Sequence, residues 1–401
     1  MPSFTLHYGH DRKFDCEINQ QVPCWHHRGP ETATDAIAQI QKAIEAPVDY
    51  PQINQAVVKG DSVAIVVEPE TPCWPDIVKA LRELLISAGI ESHAIRVALN
   101  REIIEQDLPA NLSPEAVGKV VSHVDLMKSQ QIYLASTAEG ERIYLPEEIG
   151  NADVVISIGQ FGFDDQWGYR GTHSVVYPAF ASTEEQEKLR GVRQHELTPE
   201  TSRGTRQTID EIGWLLGLQY TVQVIPSASG QLADILSGAC DSVYRDAVSL
   251  LQQNWRIQKT DRSETVVVSL ANEPGCDIWA AITRTCRSAK TLVETDGRVM
   301  LLTDLKELPR ELIDPLTMCG SLDEAMQMLN TLNTPEANAL HAIADLAQTA
   351  KVYLLSGLDQ DIVENLFCIP LANHEEMQNA IQGGESYAIV DGGPYVYVEN
   401  E

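Results

Sequence analysis

Short apolar runs alternate with segments of helical spacing along most of this chain. Residues 62–67 and 94–99 are rich in apolar side chains, and residues 75–88 between them form an amphipathic segment that begins with a proline. A strand, a helix and a second strand in that order predict a βαβ unit, and therefore a parallel sheet. This order excludes most other architectures and predicts an α/β fold.

The alternating pattern is interrupted near residues 258–264, where polar residues follow a helical segment. A fresh series begins there with the apolar run 264–269. With 401 residues the chain is long for a single core, since domains typically have about 50–250 residues. We therefore predict two α/β domains, residues 1–260 and 261–401, with a ligand cleft between them.

The charge balance limits the partners of the chain. It has 29 Lys and Arg residues and 58 Asp and Glu residues, which give a net charge of −29. Because such a surface repels phosphate backbones, we expect no nucleic-acid partner. No apolar run approaches the roughly 20 residues of a membrane helix, and the first residues do not resemble a signal peptide. The eight cysteines lack a Cys-x-x-Cys pair, so we expect reduced thiols. Together these features predict a cytoplasmic location and no membrane partner.

The richest candidate site is the loop that follows the apolar run 154–158. It holds four glycines, and we expect Gly168 and Gly171 to let the backbone approach a bound molecule closely. Arg170 lies between those two glycines. Its guanidinium either clamps a substrate carboxylate or neutralises the neighbouring acidic residues. The loop is predicted to lie at the carboxyl end of a strand, where open α/β sheets place their ligands.

The same loop carries candidate acid/base residues. Asp164 and His173 are predicted to act as a general acid/base pair, while Asp164 with Asp165 offers an alternative metal site. A solvated acidic loop is the simpler interpretation of the two aspartates. His195 lies in a polar segment before a predicted helix, and it either ligates a metal or lies on the surface.

A second candidate site is the turn between the run 62–67 and the helix that follows it. The free amides at a helix N-terminus attract anions, and Thr71 adds a hydroxyl group. Trp74 and the prolines on either side of it make the turn rigid. The alternative is an ordinary capped turn. We predict that Thr71 and Trp74 contact a small carboxylate or phosphate.

The order of these segments resembles the lactate racemase family, the nickel-pincer-dependent racemases and epimerases of 2-hydroxy acids. The segments that carry the resemblance are the opening residues Leu6 to Gly9, the turn from Thr71 to Pro75, the segment 137–144, the glycine-rich loop ending at Pro178, and Gly393 with Pro394. The resemblance implies two α/β domains with the cofactor in a cleft between them. It also implies hydride transfer from the α-carbon of the substrate, with two histidines moving the hydroxyl proton.

Several family residues are replaced in this sequence. The resemblance places Pro72 where the family has its substrate-binding arginine, Asp164 where it has an acid/base histidine, and Ser174 where it has the lysine that anchors the pincer. No lysine occurs between Lys128 and Lys188. The other acid/base histidine and the Gln/Lys pair are also missing, and His195 lies near the family's nickel ligand.

Three functions follow from the sequence. The first is a diverged racemase or epimerase of a 2-hydroxy acid or sugar acid, holding a nickel-pincer nucleotide non-covalently against Ser174, Gly168 and Gly171. The second is a non-catalytic member that binds a small anion, or that regulates or pairs with an active paralogue. The third is a different metal-dependent enzyme that holds a hard cation with Asp164, Asp165, His173 and His195. The expected partner is a small carboxylate or phosphate ligand, and a homo-oligomer stays open.

Overall fold

The computed structural model of the chain describes residues 2–102, 117–137, 140–182, 185–186, 198–258, 261–271, 277–332 and 334–399. The strands in these ranges are β1 (Ser3–Tyr8), β2 (Arg12–Glu17), β3 (Cys24–His27), β4 (Val63–Val67), β5 (Ile95–Leu99), β6 (Lys119–Val121), β7 (Gln131–Ser136), β8 (Arg142–Pro146), β9 (Val154–Gln160), β10 (Gly162–Asp164), β11 (Gly168–Arg170), β12 (Tyr220–Pro226), β13 (Leu232–Ala239), β14 (Arg256–Ile257), β15 (Ser263–Ser269), β16 (Val293–Leu302), β17 (Lys351–Leu355), β18 (Ile369–Leu371), β19 (Tyr387–Val390) and β20 (Tyr397–Val398). The α-helices are α1 (Ala36–Glu45), α2 (Ile53–Ala56), α3 (Trp74–Ser87), α4 (His123–Lys128), α5 (Glu147–Gly150), α6 (Gly204–Leu216), α7 (Cys240–Trp255), α8 (Ile278–Leu292), α9 (Arg310–Thr317), α10 (Leu322–Asn330), α11 (Pro335–Ala347), α12 (Gln360–Asn365) and α13 (His374–Ile381). None of the helices in these ranges is long and apolar enough to cross a membrane.

The chain divides into two compact units, and each contains one six-stranded sheet. The N-terminal unit consists of Thr32–Pro226 and Gln231–Gln253, and the C-terminal unit of Met1–Glu31, Ser227–Gly230 and Asn254–Glu401. The predicted domains differ from these units mainly in the first 31 residues, which the sequence groups with the N-terminal domain. In the structure β3 pairs in parallel with β19, and this pairing puts the segment in the C-terminal unit. An alternating apolar pattern predicts a strand but not the sheet that the strand joins.

The sheet of the N-terminal unit has the strand order β13-β12-β9-β4-β5-β6, and β13 is its antiparallel edge strand. Every residue of β4 is buried, as expected for a parallel strand covered by helices on both faces. Helix α3 packs Ile77, Leu81 and Leu85 against this sheet at spacings of four residues. The predicted βαβ unit and the α/β class are thereby confirmed.

The order of the strands marks one crevice of this sheet. From β4 the chain moves through β5 to β6 on one side, and it then returns to β9 on the other side of β4. Connections that leave two neighbouring parallel strands in opposite directions open a crevice at their carboxyl ends, where α/β proteins bind ligands. In this unit the crevice lies between the ends of β4 and β9, and this place is called the switch point of the sheet below.

The sheet of the C-terminal unit has the order β18-β17-β16-β15-β19-β3, and its pairs are all parallel. The chain passes from β15 to β18 on one side and returns to β19 on the other. The corresponding switch point therefore lies between β15 and β19. The antiparallel hairpin β1–β2 buries Leu6, Tyr8 and Phe14 in the core of this unit.

Candidate functional site

The turn between β4 and α3 lies at the switch point of the N-terminal sheet. The backbone N–H of Thr71 donates to the carbonyl of Glu68 at 3.0 Å, and the N–H of Trp74 donates to the carbonyl of Thr71 at 3.3 Å. Cys73 has a φ of 58° immediately before the helix, and Pro75 occupies one of its first two positions. The turn is therefore fixed by its own backbone, as its prolines predict.

Two glutamates and two arginines form a charge cluster at this turn. One terminal nitrogen of Arg170 lies 3.3 Å from Glu68 Oε1 and 3.3 Å from Glu70 Oε2. Arg101, which follows β5, approaches Glu70 Oε1 to 3.4 Å. The cluster, called the switch-point cluster below, thus joins the ends of β4 and β5 to the β10–β11 hairpin. Each carboxylate has a guanidinium partner.

Gln160 connects the cluster to the last residue of β9. Its backbone N–H donates to Glu68 Oε2 at 2.7 Å. With the side-chain amide oriented to satisfy both of its ends, its oxygen accepts from Arg170 at 2.6 Å and its nitrogen donates to the Glu70 carbonyl at 3.2 Å. Both strands of the switch point therefore hold the same group of charges.

Burial raises the pKa of Glu68, and the neighbouring charge of Glu70 adds to this effect. Arg170, the N–H of Gln160 and Arg101 act in the opposite direction, but the pKa of Glu68 remains above its ordinary value. A carboxyl with a raised pKa in a strand-end crevice is a feature of acid/base and ligand sites, although structural ion networks also produce it. Glu68 is thus the acidic side chain of this edge with the clearest functional signal.

Two polar atoms of the turn are buried without a hydrogen-bond partner: Oγ1 of Thr71 and Nε1 of Trp74. Each residue is only 2% exposed. A buried donor without a partner typically costs about 1–3 kcal/mol, so such groups are rare unless a ligand or water completes them. Trp74 is the first residue of the 14-residue helix α3, and Thr71 lies three residues before it in the same turn. The sequence assigned Thr71, Trp74 and Arg170 to substrate binding, and the structure gathers all three at one edge of the sheet.

Asp164 and His173 have different partners. Oδ1 of Asp164 accepts the backbone N–H groups of Gln166 and Trp167 at 2.8 and 3.2 Å, which closes the turn between β10 and β11. Nδ1 of His173 lies 2.9 Å from Asp210 Oδ1 on helix α6. The predicted acid/base pair therefore does not form a hydrogen bond of its own.

Asp210 holds His173 together with Arg206. The guanidinium of Arg206 donates to both Asp210 oxygens, at 2.9 and 2.8 Å, and lies over the ring of Tyr244 at 4.4 Å. Burial by itself would raise the pKa of Asp210, but hydrogen bonds from His173 and Arg206 outweigh it and lower the pKa. A Cβ on Gly213 would lie 2.4 Å from the His173 ring, so helix and imidazole are in close contact. His173 is a buried histidine whose orientation is set by a carboxylate.

The glycines and the serine assigned to cofactor binding pack against the protein itself. A Cβ at Gly168 would lie 2.2 Å from the carbonyl oxygen of Pro199, and one at Gly171 would lie 2.5 Å from Gln223 Oε1. The hydroxyl of Ser174 accepts from the backbone N–H of Gly171 at 2.7 Å. The space beside these residues is therefore filled by protein atoms.

Metal-ligating residues do not gather in the described ranges: no group of three or more His, Cys, Asp or Glu side chains there is arranged to hold a metal ion. His195, the predicted metal ligand, lies outside the described residues.

Comparison with known proteins finds one family model that is similar to part of the chain. Residues 8–189 match the family model described as the lactate racemase N-terminal domain. Over this segment the sequence is similar to the lactate racemase family. No curated protein matches the sequence.

Two solved structures share the fold of this chain. The lactate racemase apoprotein from Thermoanaerobacterium thermosaccharolyticum superposes with a TM-score of 0.71 at 12% identity, covering all of both chains. A protein from Thermotoga maritima superposes with a TM-score of 0.63 at 11% identity, covering 91% of this chain and 98% of the other. At these identities the likeness concerns the fold, and it confirms the predicted lactate-racemase-like α/β architecture.

The residues around the predicted anchor do not fit a covalently attached pincer cofactor. Ser174 stands where the resemblance places the anchoring lysine, and its hydroxyl is bound to the backbone of Gly171. The positions beside Gly168 and Gly171 are occupied by Pro199 and Gln223. No lysine lies between residues 129 and 187. We therefore assign no chemical step to that cofactor in this chain.

The sequence analysis missed several residues of this edge: Glu68, Glu70, Arg101, Gln160, Arg206 and Asp210. Glu68 carries a detectable signal, because it is the first polar residue after a fully buried parallel strand. Arg206 and Asp210 carry a weaker one, because opposite charges four residues apart on a helix form a pair. Their partner His173 lies 37 positions away from Asp210 in the sequence, and only the packing of α6 brings the two together.

Proposed function

We propose that this protein, which is similar to lactate racemases in fold and over residues 8–189, binds a small carboxylate or phosphate at the turn between β4 and α3, without a covalently attached cofactor. The observation that carries the proposal is the pair of buried, unpartnered polar atoms, Thr71 Oγ1 and Trp74 Nε1. Both can donate a hydrogen bond to an oxyanion. The N-terminus of helix α3 adds a positive partial charge at the same place.

The arginines of the switch-point cluster offset the repulsion between a bound anion and the two nearby glutamates. Arg170 lies within 3.3 Å of both carboxylates, and Arg101 gives Glu70 a second cationic partner. Two positive and two negative charges therefore balance in this cluster. An incoming anion therefore meets a cluster without net charge and the positive end of a helix. The net charge of −29 repels the anion only weakly, because most of the acidic residues are far away and screened by salt.

A titration tests this proposal. Sodium lactate and inorganic phosphate are titrated separately into the wild-type protein and into Thr71→Val, and the heat of binding is measured by calorimetry. We expect at least one anion to bind the wild type, and the isosteric substitution to weaken it about tenfold or more, because a hydrogen bond to a charged group is removed. Thr201→Val, at an exposed position of the same unit, is the control and should bind like wild type. Absence of binding for both anions, or equal affinity in Thr71→Val, rejects the proposal.

A second candidate function is racemisation or epimerisation of a 2-hydroxy acid or sugar acid with a non-covalently held nickel-pincer nucleotide. The raised pKa of Glu68 and the imidazole of His173 held by Asp210 favour it, because each is a group suited to moving a proton. Its test is nickel content and intact mass of the protein from a host that makes the cofactor, together with turnover of 2-hydroxy acids. Stoichiometric nickel and turnover that is lost in Glu68→Gln would support it, and absence of both nickel and turnover would reject it.

A further inference from the structure

The C-terminal unit carries a second group of polar side chains at its own switch point. Asp391 directly follows β19, Ser269 ends β15, and His7 comes from the hairpin strand β1. Asp391 accepts three hydrogen bonds: from the backbone N–H of His7 at 2.7 Å, from its ring Nδ1 at 2.8 Å, and from the hydroxyl of Ser269 at 2.8 Å. Its side chain is 3% exposed, whereas that of His7 is 28% exposed.

This geometry defines the role of each ring nitrogen of His7. A buried carboxylate that accepts a hydrogen bond from Nδ1–H holds the neutral imidazole in the tautomer with the proton on Nδ1. The lone pair is then on Nε2, the nitrogen that does not face Asp391. The Ser269 hydroxyl and the His7 N–H hold the carboxylate itself in place. The arrangement therefore orients a proton-accepting nitrogen at the part of the sheet where α/β proteins bind ligands.

The surroundings of His7 contain both acidic and basic side chains. Asp304 lies beside the hairpin: a Cβ on Gly9 would be 2.4 Å from its carboxyl carbon, and it accepts the N–H of His10 at 3.1 Å. The register of the hairpin places Lys13 opposite His7 in β2, so acidic and basic groups both lie near this edge. A hydroxyl group can donate a hydrogen bond to Nε2.

We propose that His7 Nε2 is the proton acceptor of a second ligand site in the C-terminal unit, which takes a small compound that carries a hydroxyl group. Asp391 is the positioning residue of this site, and Ser269 supports Asp391. The residues involved lie in the C-terminal unit, so this proposal is independent of anion binding at the turn between β4 and α3. The alternative is that the His7–Asp391 bond only fastens the hairpin to the sheet.

Acylation by diethyl pyrocarbonate distinguishes a proton-accepting His7 from a His7 that only fastens the hairpin to the sheet. In this reaction Nε2 attacks a carbonyl carbon of the probe, a C–N bond forms, the C–O bond to ethyl carbonate breaks, and the Nδ1 proton passes through Asp391 to solvent. Rates are followed for each histidine by peptide mass spectrometry on the full-length protein at pH 7. The reference is His93, whose side chain is 82% exposed.

We expect His7 to react at least as fast as His93 despite its lower exposure, and Asp391→Asn to slow His7 about tenfold while leaving His93 unchanged. A His7 rate below that of His93, or an unchanged His7 rate in folded Asp391→Asn, overturns the proposal. If Asp391→Asn does not fold, the wild-type comparison of the two rates decides alone. His7→Asn keeps a donor to Asp391 but removes Nε2, so it controls for the fastening role through its thermal stability.

Discussion

The two sheets of this protein present the same backbone feature with different chemistry. Each has six strands and a switch point, between β4 and β9 in the N-terminal unit and between β15 and β19 in the C-terminal unit. The first holds two glutamates that are balanced by two arginines. The second holds one buried aspartate with a histidine and a serine. The fold decides where polar side chains gather, and the residues at the strand ends decide what they do.

The largest difference between the two edges should appear when charge balance is broken. Arg170→Leu leaves Glu68 without its cationic partner in a buried position. We expect a loss of about 3–5 kcal/mol in the free energy of unfolding, because an uncompensated buried charge remains. Urea denaturation measures it. Arg96→Leu, at an exposed position on β5, is the control and should change stability by less than about 0.5 kcal/mol. Equal effects at the two positions would contradict the account of the switch-point cluster.

The glycine-rich loop is the next test, because its glycines are explained by packing. Gly171 has a φ of 113°, and a Cβ there would lie 2.5 Å from Gln223 and 2.6 Å from the Phe161 ring. Gly171→Ala should therefore cost about 2–4 kcal/mol through overpacking and backbone strain together. Gly60 also has a positive φ, 104°, but no atom lies within 4 Å of a Cβ there. Gly60→Ala thus reports backbone strain alone, about 1–2 kcal/mol. Thermal unfolding of both variants gives the difference, and equal losses would refute the packing explanation.

Acid should weaken the C-terminal unit through His27. Burial lowers the pKa of His27 to about 4, and His26 adds to the effect while the Asn254 backbone and Asp391 oppose it. Because the unfolded imidazole takes up its proton near pH 6.5 and the folded one only near 4, stability falls as the pH decreases between these values, by about 2 kcal/mol. His27→Phe keeps an aromatic ring and should remove most of this slope in urea midpoints at pH 7.5 and 5.0. His93→Gln, at an exposed site, should leave it intact. A slope unchanged in His27→Phe would show that other groups dominate.

The smallest effect on stability is expected at Thr71, where the hydroxyl lacks a protein partner. Thr71→Val should be neutral or stabilising by up to about 1 kcal/mol, because no hydrogen bond is lost. Thr221 is equally buried, but its hydroxyl contacts Ser157 and Gln223 at 2.7 Å. Thr221→Val should cost about 1–3 kcal/mol because those partners are left unsatisfied. Calorimetric melting compares the two, and a large loss at Thr71 would mean that its hydroxyl already has a structural role.

The sequence predicted local secondary structure better than contacts between residues that are far apart in the chain. The predicted runs 62–67 and 94–99 contain the strands Val63–Val67 and Ile95–Leu99, and Pro75 lies in the first turn of α3, because these features depend on neighbours in the chain. The assignment of residues 2–31 to a sheet depends on the pairing of β3 with β19, which no local pattern encodes. The glycine-rich loop, which the sequence suggested as open to ligand, contains the hairpin β10–β11.

The same distinction holds for the site. Thr71, Trp74 and Arg170 could be assigned to one region, because the ends of parallel strands meet at the same edge of a sheet. Their individual contacts could not be derived. Whether Arg170 meets Glu68 or Asp164 depends on the twist of the β10–β11 hairpin, and whether His173 meets Asp164 or Asp210 depends on the position of α6.

The indole N–H signal of Trp74 tests the central claim most directly, because it reports from the proposed anion site itself. In protein labelled with ¹⁵N-tryptophan, the resonance of Trp74 among the six indoles is assigned with Trp74→Phe and followed while sodium lactate or phosphate is added. We predict a saturable shift of the Trp74 signal and no shift for Trp214, which is 76% exposed. An unmoved Trp74 signal with both anions, or equal movement of Trp214, would contradict an anion site at this turn.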